Sequence, residues 1–420
     1  MNYFLRQLQE IRQGGILAVV DKLISLKLRS TSCLILLVNA IWAIPAVWCM
    51  RKLRPWFLIR VGTLRSERIG HFAADGGLQW IELAGQPTNQ VDIYWLPKQT
   101  SNHQWDKMIR RNFKVAWPVY SLDRWNAIIP GGEVHQRPST STDSRDIRGL
   151  LYRTENILEF LPEEESIAKN WLQAHGWKEG QPFVCLLVRD FAYLNSESTL
   201  KQKWDYHNYR DTNIATYIPA MEWLADQGIW VLRMGKVMNK PMMTNHSRII
   251  DYAFCNDKSD FLDIWLFANC TLCISTGSGP DAVSQIYRRP ILMLNLLPIC
   301  GLWSWCETTT VPKHLIWEDS GKELSLMEHL ENSYSSREDY YRNKIKAVDL
   351  NEEEIMEAVR ETWAHLHGQW KPKSGDEKRQ TEFLRQLKVF YDSSKYQGFI
   401  HPKARLADSF LRNNTQFIKS

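Results

Sequence analysis

The residues of this chain whose types and spacing suit chemistry are a small-residue loop, Thr276-Gly277-Ser278-Gly279, and three arginines, Arg189, Arg210 and Arg233. The loop follows an apolar, strand-forming run, Leu272 to Ser275, and precedes Pro280 at the first position of a helix. Such a turn leaves free backbone N–H groups at a helix N-terminus, and its small side chains admit an anion closely, so it suits a phosphate or diphosphate. Arg189 and Arg233 each follow an apolar run, Phe183 to Val188 and Ile229 to Leu232, so both should converge on the loop. Asp281 reads first as a helix-start acid acting on the dipole and second as a contact to a ligand hydroxyl. An ordinary strand-to-helix turn with surface ion pairs is the plain alternative.

Two other chemistries fail on spacing. Gly277-Ser-Gly279-Pro-Asp-Ala282 fits a dinucleotide fingerprint, but the next strand, Ile291 to Leu296, ends in Asn295 without the acid that would hold a ribose. A nucleophile elbow needs glycines two before and two after Ser278, where Thr276 and Pro280 stand. Cys270 and Cys273 form a C-x-x-C pair that would point to opposite faces if both lay on the strand, and no second pair or nearby His cluster completes a zinc site. No cofactor and no metal site are expected.

The elements that must position these residues alternate. Trp56 to Val61 reads as a strand, Phe72 to Leu83 as a helix, Val91 to Leu96 as a strand and Asn102 to Asn112 as a helix, with Gly131 to Arg148 as an exposed loop. Glu163 to Gly176 is a helix, and a second series follows: strand Phe183 to Val188, helix Ile214 to Gln227, strands Ile229 to Leu232 and Ile249 to Tyr252, and helix Phe261 to Asn269. This rhythm predicts an α/β fold with parallel, doubly wound sheets and a site at the carboxyl ends of the strands. After Pro298 the chain reads as mostly helical, with Glu352 to His365, Glu377 to Tyr391 and an amphipathic piece from Lys403 to Asn413.

With 420 residues, 44% of them hydrophobic and 24% charged, the chain can bury a large core in two domains or one large domain with additions. A formal charge of +5 is too small for this length to suggest nucleic acid, and eight scattered cysteines with no secretory cleavage pattern suggest reduced thiols in a cytosolic body. Met1 to Arg29 reads as a basic amphipathic helical segment. Cys33 to Met50 carries no charge and is followed at once by Arg51, Lys52 and Arg54, the best membrane candidate. A helix docked on the body and dipping into the anionic cytoplasmic face is preferred, a true span second and a buried core helix third.

Seven motifs carry a resemblance: Arg68-Ile-Gly-His71, Val188-Arg-Asp-Phe-Ala-Tyr193, Tyr209-Arg-Asp-Thr-Asn-Ile214, Leu232-Arg-Met-Gly235, Ile250-Asp-Tyr252, Ser259-Asp-Phe-Leu-Asp263 and Ser275-Thr-Gly-Ser-Gly-Pro-Asp-Ala282. From about Arg54 onward the chain resembles a bacterial family of surface-polysaccharide glycosyltransferases, and its second half is more distantly similar to heptosyltransferases and other GT-B enzymes. The resemblance implies a GT-B-like fold of two Rossmann-like domains facing a cleft. On that view residues 1–54 are a membrane-associating helical segment, 55–160 an acceptor domain, 161–320 a nucleotide-sugar donor domain and 321–420 a helical extension.

It further implies a metal-independent, inverting transfer of a sugar from a nucleotide-sugar donor to a polysaccharide, lipopolysaccharide or lipid-linked acceptor at the cytoplasmic side of the inner membrane. The diphosphate falls to Ser275, Thr276, Gly277, Ser278, Gly279, Arg189 and Arg233, with Arg210, Gly235 and Asp281 beside it. Deprotonating the acceptor hydroxyl needs a base, for which His71 and Glu67 are candidates from the first domain and Asp190 from the second. No convincing D-x-D metal motif is present. Nineteen tryptophans are many for this length; Trp303 and Trp305 follow the fifth strand of the donor domain, where an indole face can stack on a sugar ring. The competing classes are a noncatalytic nucleotide-binding or polysaccharide-assembly protein of the same fold, and a dinucleotide-dependent oxidoreductase.

Overall fold

In a computed structural model the described residues are 33–138, 145–190, 209–300, 305–394 and 398–419. The segments Met1 to Arg29, Phe191 to Asn208 and Trp303 lie outside them. The first described element is a 20-residue helix, α1 (Cys33–Lys52), followed by a turn in which Phe57 N–H bonds Leu53 O at 2.8 Å. That turn consumes Trp56 and Phe57, so the strand read from Trp56 begins two residues later, as β1 (Leu58–Thr63).

Around β1 is a small parallel sheet in the order β2-β1-β3, with β2 (Gln90–Trp95) and the two-residue β3 (Gln136–Arg137). The region read as an exposed loop therefore supplies a strand, and its His135 is buried with Nδ1 2.6 Å from Ile59 O. Helices α2 (Ile69–Ala84), α3 (His103–Asn112) and α4 (Val119–Ile128) cover this sheet. The start of α3 is fixed by Asn102, whose side chain accepts the Trp105 N–H at 2.8 Å. The helix α4 was not legible as one, because Pro118 and two aromatic residues interrupt its apolar period.

After the short α5 (Leu150–Arg153), α6 (Pro162–Ala174) leads into a seven-stranded, wholly parallel sheet. Its strands are β4 (Phe183–Leu187), β5 (Trp230–Arg233), β6 (Ile249–Ile250), β7 (Leu272–Ser275), β8 (Ile291–Leu296), β9 (Thr308–Pro312) and, beyond an antiparallel pair, β12 (Arg405–Leu406). The pair is β10 (His314–Trp317) and β11 (Ile345–Val348). The C-terminal region keeps its helical character but also contributes strands the sequence reading did not include. Its four strands are short or Thr-rich, and β12 closes the far edge of the large sheet.

The order β12-β9-β8-β7-β4-β5-β6 reverses direction between β4 and β7. From β4 the chain winds outward to β6, then returns to lay β7 on the other side of β4. Alternate residues feed two cores: Cys185, Leu187 and Cys273 face one, Val184, Leu186 and Ile274 the other. Helices α8 (Asp260–Asn269) and α9 (Asp281–Ile286) lie against the first face of the sheet, and α7 (Ile218–Asp226), α10 (Glu352–Leu366) and α11 (Asp376–Ser393) on the second.

The architecture is α/β with two parallel sheets, of three strands in the first unit and seven in the second. One apolar cluster runs through both units. It holds Phe72, Trp105 and Met108 from α2 and α3 together with Trp265, Ile286 and Tyr287. Polar ties reinforce it: Asn102 Nδ2 donates to Asp260 O at 2.8 Å, and Tyr287 OH donates to Leu158 O.

Candidate functional site

The reversal between β4 and β7 leaves a crevice at the carboxyl ends of two adjacent strands, where ligands of open α/β sheets bind. Arg189 leaves β4 there and the glycine loop leaves β7. The two are tied directly, since Arg189 N–H donates to Thr276 Oγ1 at 2.9 Å.

The loop does not present the expected cradle of free N–H groups. Thr276 N–H donates to Leu187 O at 3.1 Å, Gly277 N–H to Ser275 Oγ at 3.1 Å and Ser278 N–H to Asp281 Oδ2 at 2.8 Å. Asp281 also accepts from Ser275 Oγ at 2.7 Å. Its carboxylate stands inside the loop where an anion would otherwise sit, and burial pushes its pKa up to about 6. Neither reading of Asp281, as a dipole acid or a hydroxyl contact, describes this clamp.

Positive charge comes instead from side chains. Arg210 donates through Nη2 to Gly277 O, while its Nε is buried with no hydrogen-bond partner. Arg189 pairs with Asp211, Nε to Oδ1 at 3.3 Å. Its pKa is lowered first by burial and next by the Arg210 charge, so two guanidiniums are crowded together against electrostatic preference. Lys313 lies beside them, with Nζ 2.9 Å from Asp211 O and 2.6 Å from Asp349 Oδ1; burial lowers its pKa.

Arg233 does not join this group. It is 1% exposed, bonds Asp251 Oδ1 and Lys240 O at 3.1 Å and lies over Phe254. Its position on β5 rather than after it turns the side chain inward. Gly235, at φ +151°, packs on Met238. Asp190 accepts the Asn239 N–H at 2.8 Å. Lys313, on the last residue before β10, was not singled out from sequence, because it is 124 residues from Arg189 and only the fold brings them together.

Across the crevice, α2 begins against the glycine loop. A Cβ on Gly70 would fall 2.8 Å from Gly279 Cα, so the two backbones touch only because both residues lack one. His71, the next residue, is half-buried in the first turn of α2, and Glu67 is exposed just before it. Asp75, another acid of that helix, is fully buried and accepts from Gln79 Nε2 at 3.3 Å. Trp305 is 3% exposed in the core, not an open stacking face.

Cys270 precedes β7 instead of lying on it, so it and Cys273 both face the first core, beside Cys185, as free thiols. Burial pushes the Cys273 thiol well up.

No protein-family model matches this sequence, and no curated protein matches it. Solved structures do. An Escherichia coli ADP-heptose lipopolysaccharide heptosyltransferase II is 11% identical, with a TM-score of 0.40 over 74% of this chain and 100% of that one. A glycosyltransferase of family 9 from Veillonella parvula is 11% identical, with a TM-score of 0.41 over 61% and 86%. A Staphylococcus aureus MnaA–UDP structure is 9% identical, with a TM-score of 0.33 over 81% and 100%.

Proposed function

We propose that the protein is a glycosyltransferase that binds a nucleotide-sugar at the carboxyl ends of β4 and β7. The crowding of Arg189 and Arg210 at the reversal of the large sheet carries this reading. Two half-buried cations held together favour a dianionic ligand between them, and a departing nucleoside diphosphate is such a ligand. Residues 161–320 hold the donor, 55–160 the acceptor. The diphosphate is bound chiefly by Arg189 and Arg210, with Lys313 behind them and the Thr276 to Gly279 loop as a rigid floor. Arg233 supports the sheet edge.

The acceptor hydroxyl approaches from α2, where His71 takes its proton as the sugar bond breaks, and Glu67 and Asp190 are the alternative bases. Charge neutralisation by guanidiniums lets the transfer run without a metal. The sugar transferred and the glycan or lipid-linked acceptor are set by pocket shape.

The described helix α1 supports work at a membrane surface. It is long and apolar enough to cross a bilayer, with a mean hydropathy of 2.2 and 17% burial. Yet it is strapped to α4 along its length: Trp125 Nε1 donates to Leu36 O at 3.1 Å, Asn39 Nδ2 to Ser121 Oγ at 2.9 Å and Arg51 to Ile129 O and Pro130 O at 2.7 Å. From Leu36 to Arg51 is about 22 Å of helix lying on the body, too much to insert across the hydrocarbon while docked. Its outer face, with Leu37, Ile41 and Trp48, continues into exposed Trp56, Trp117 and Ile128, which suits in-plane burial in the cytoplasmic leaflet.

The test is thermal denaturation of the purified chain against UDP-, GDP-, ADP-, CMP- and dTDP-sugars, since a ligand bound only by the folded state raises the melting temperature. One nucleotide class should stabilise the protein, and Arg210→Ala should abolish the shift. If no nucleotide shifts it, the transferase reading is withdrawn.

A further inference from the structure

Away from the crevice, at the outer edge of the large sheet, three ligand-bearing side chains from two distant segments meet. His175 caps the C-terminus of α6, and Cys255 and Asp257 lie on the turn after β6. Their ligand atoms all fall within 4.8 Å of one another. Four-coordinate ligands at zinc bond lengths stand roughly 3.3–3.7 Å apart, so small side-chain rotations close the set.

The surroundings are arranged as they are around bound metals. His175 Nδ1 lies 2.9 Å from Trp171 O, which fixes that nitrogen as the donor and leaves Nε2 with its lone pair outward. The Trp171 indole N–H holds one oxygen of Asp257 at 2.6 Å, and the same indole ring packs on the His175 ring at 4.2 Å. One residue thus orients two ligands. The α6 C-terminus adds the negative end of a 13-residue helix. The adjacent cation, Lys258, does not fill the site, because its Nζ donates to Ala253 O at 2.6 Å and Lys236 O at 2.9 Å.

A second trio, Glu361, His365 and Asp408, lacks this openness. Arg405 lies 2.6 Å from Asp408, and Glu361 takes the backbone N–H groups of Asp408 and Ser409.

We propose that His175, Cys255 and Asp257 bind one borderline divalent transition ion of the zinc type, with water completing a tetrahedral shell. The Cys255 thiol releases its proton to solvent on binding and coordinates as thiolate. The ion braces the turn from Asp251 to Ser259 against α6. That turn carries Asp251, which holds Arg233 and also accepts the Met242 N–H at 2.6 Å.

The full chain, freed of metal with a chelator, is titrated with Co²⁺ and followed by visible and near-ultraviolet absorption, then challenged with Zn²⁺. Expected are a saturable one-to-one tetrahedral spectrum with a thiolate-to-cobalt band, its displacement by Zn²⁺, and loss of that band in Cys255→Ser. Asp257→Asn, on an exposed side chain that leaves folding intact, should weaken binding by about tenfold or more. Absence of a saturable spectrum, or a thiolate band that persists unchanged in Cys255→Ser, overturns the proposal. So does an affinity unchanged in Asp257→Asn.

Discussion

Replacing Asp281 by Asn tests whether the glycine loop is closed by an internal carboxylate. In the folded chain this group titrates near 6 instead of 3.8, because burial outweighs the compensation of its charge by Ser275 Oγ, Ser278 N–H and the Arg210 guanidinium. The raised value means that the folded state holds the proton more tightly than the unfolded one. The associated stability is fully present below the unfolded pKa and is lost as pH rises through about 6. The complete loss is about 3 kcal/mol, and the part falling between roughly pH 5 and pH 7.5 is about 1.4 kcal/mol. Asn is isosteric with the protonated acid and does not titrate. Urea unfolding of both proteins across that range, subtracted at each pH, cancels the other titrating groups, including Asp263, whose pKa burial also raises to about 6. The Asn variant should gain on wild type as pH rises, by about 1.4 kcal/mol over the window. Parallel stability curves for the two proteins would refute the buried-carboxylate account of the loop.

Other perturbations have definite signs. Arg189→Ala should weaken binding of the nucleoside diphosphate found by the thermal screen by about 10- to 150-fold, the worth of a charge-assisted hydrogen bond, measured by calorimetry. His314 is held by Glu323 and by Glu354, the latter at 2.8 Å, and its pKa is raised to about 9. Its stabilisation is therefore full below the ordinary histidine range and lost through about 9, so His314→Gln should be less stable than wild type near neutrality and converge with it in alkali, by urea unfolding. Gly70→Ala sets helix propensity, a gain of about 1 kcal/mol, against a Cβ 2.8 Å from a backbone atom that cannot rotate away. The clash should win, with a lower melting temperature and, on the proposed function, reduced sugar transfer. Vesicle flotation should recover the chain with anionic vesicles and much less of it with neutral ones, and Trp48→Ser with Trp117→Ser should reduce recovery.

Much of the frame was legible because it depends on local pattern. Strands β7 and β8 match the reading residue for residue, and Asn102 and Ser259 mark helix starts through their own side chains. What escaped were elements whose pattern is weak or whose partners are remote. The strand Thr308–Pro312 is Thr-rich and ends in proline, and β12 is two residues long; both are strands only because the neighbouring strand supplies the ladder. Site residues divide in the same way. The nearness of Arg189 to the glycine loop followed from each trailing a strand. The inward turn of Arg233 depends on Asp251 and Lys240, which no periodicity reveals.

The loop and the arginines constrain one another. Had the loop's N–H groups been open, backbone dipoles would bind phosphate and the arginines would only adjust affinity. Asp281 closes that route, since a dianion placed on the loop would meet a second buried negative charge. The ligand must then sit outward, on the Arg189 and Arg210 side, where Arg210 already bonds Gly277 O and keeps one buried nitrogen unpartnered. That placement also brings it toward the first turn of α2, with Gly70 against Gly279 and His71 next in sequence. On the proposed function, a diphosphate held by guanidiniums at that seam leaves its sugar between the two units, on the side of the candidate base on α2. The same seam is built on one continuous core, so the two units are positioned by the packing of α2 and α3 on α8 and α9 more than by a hinge.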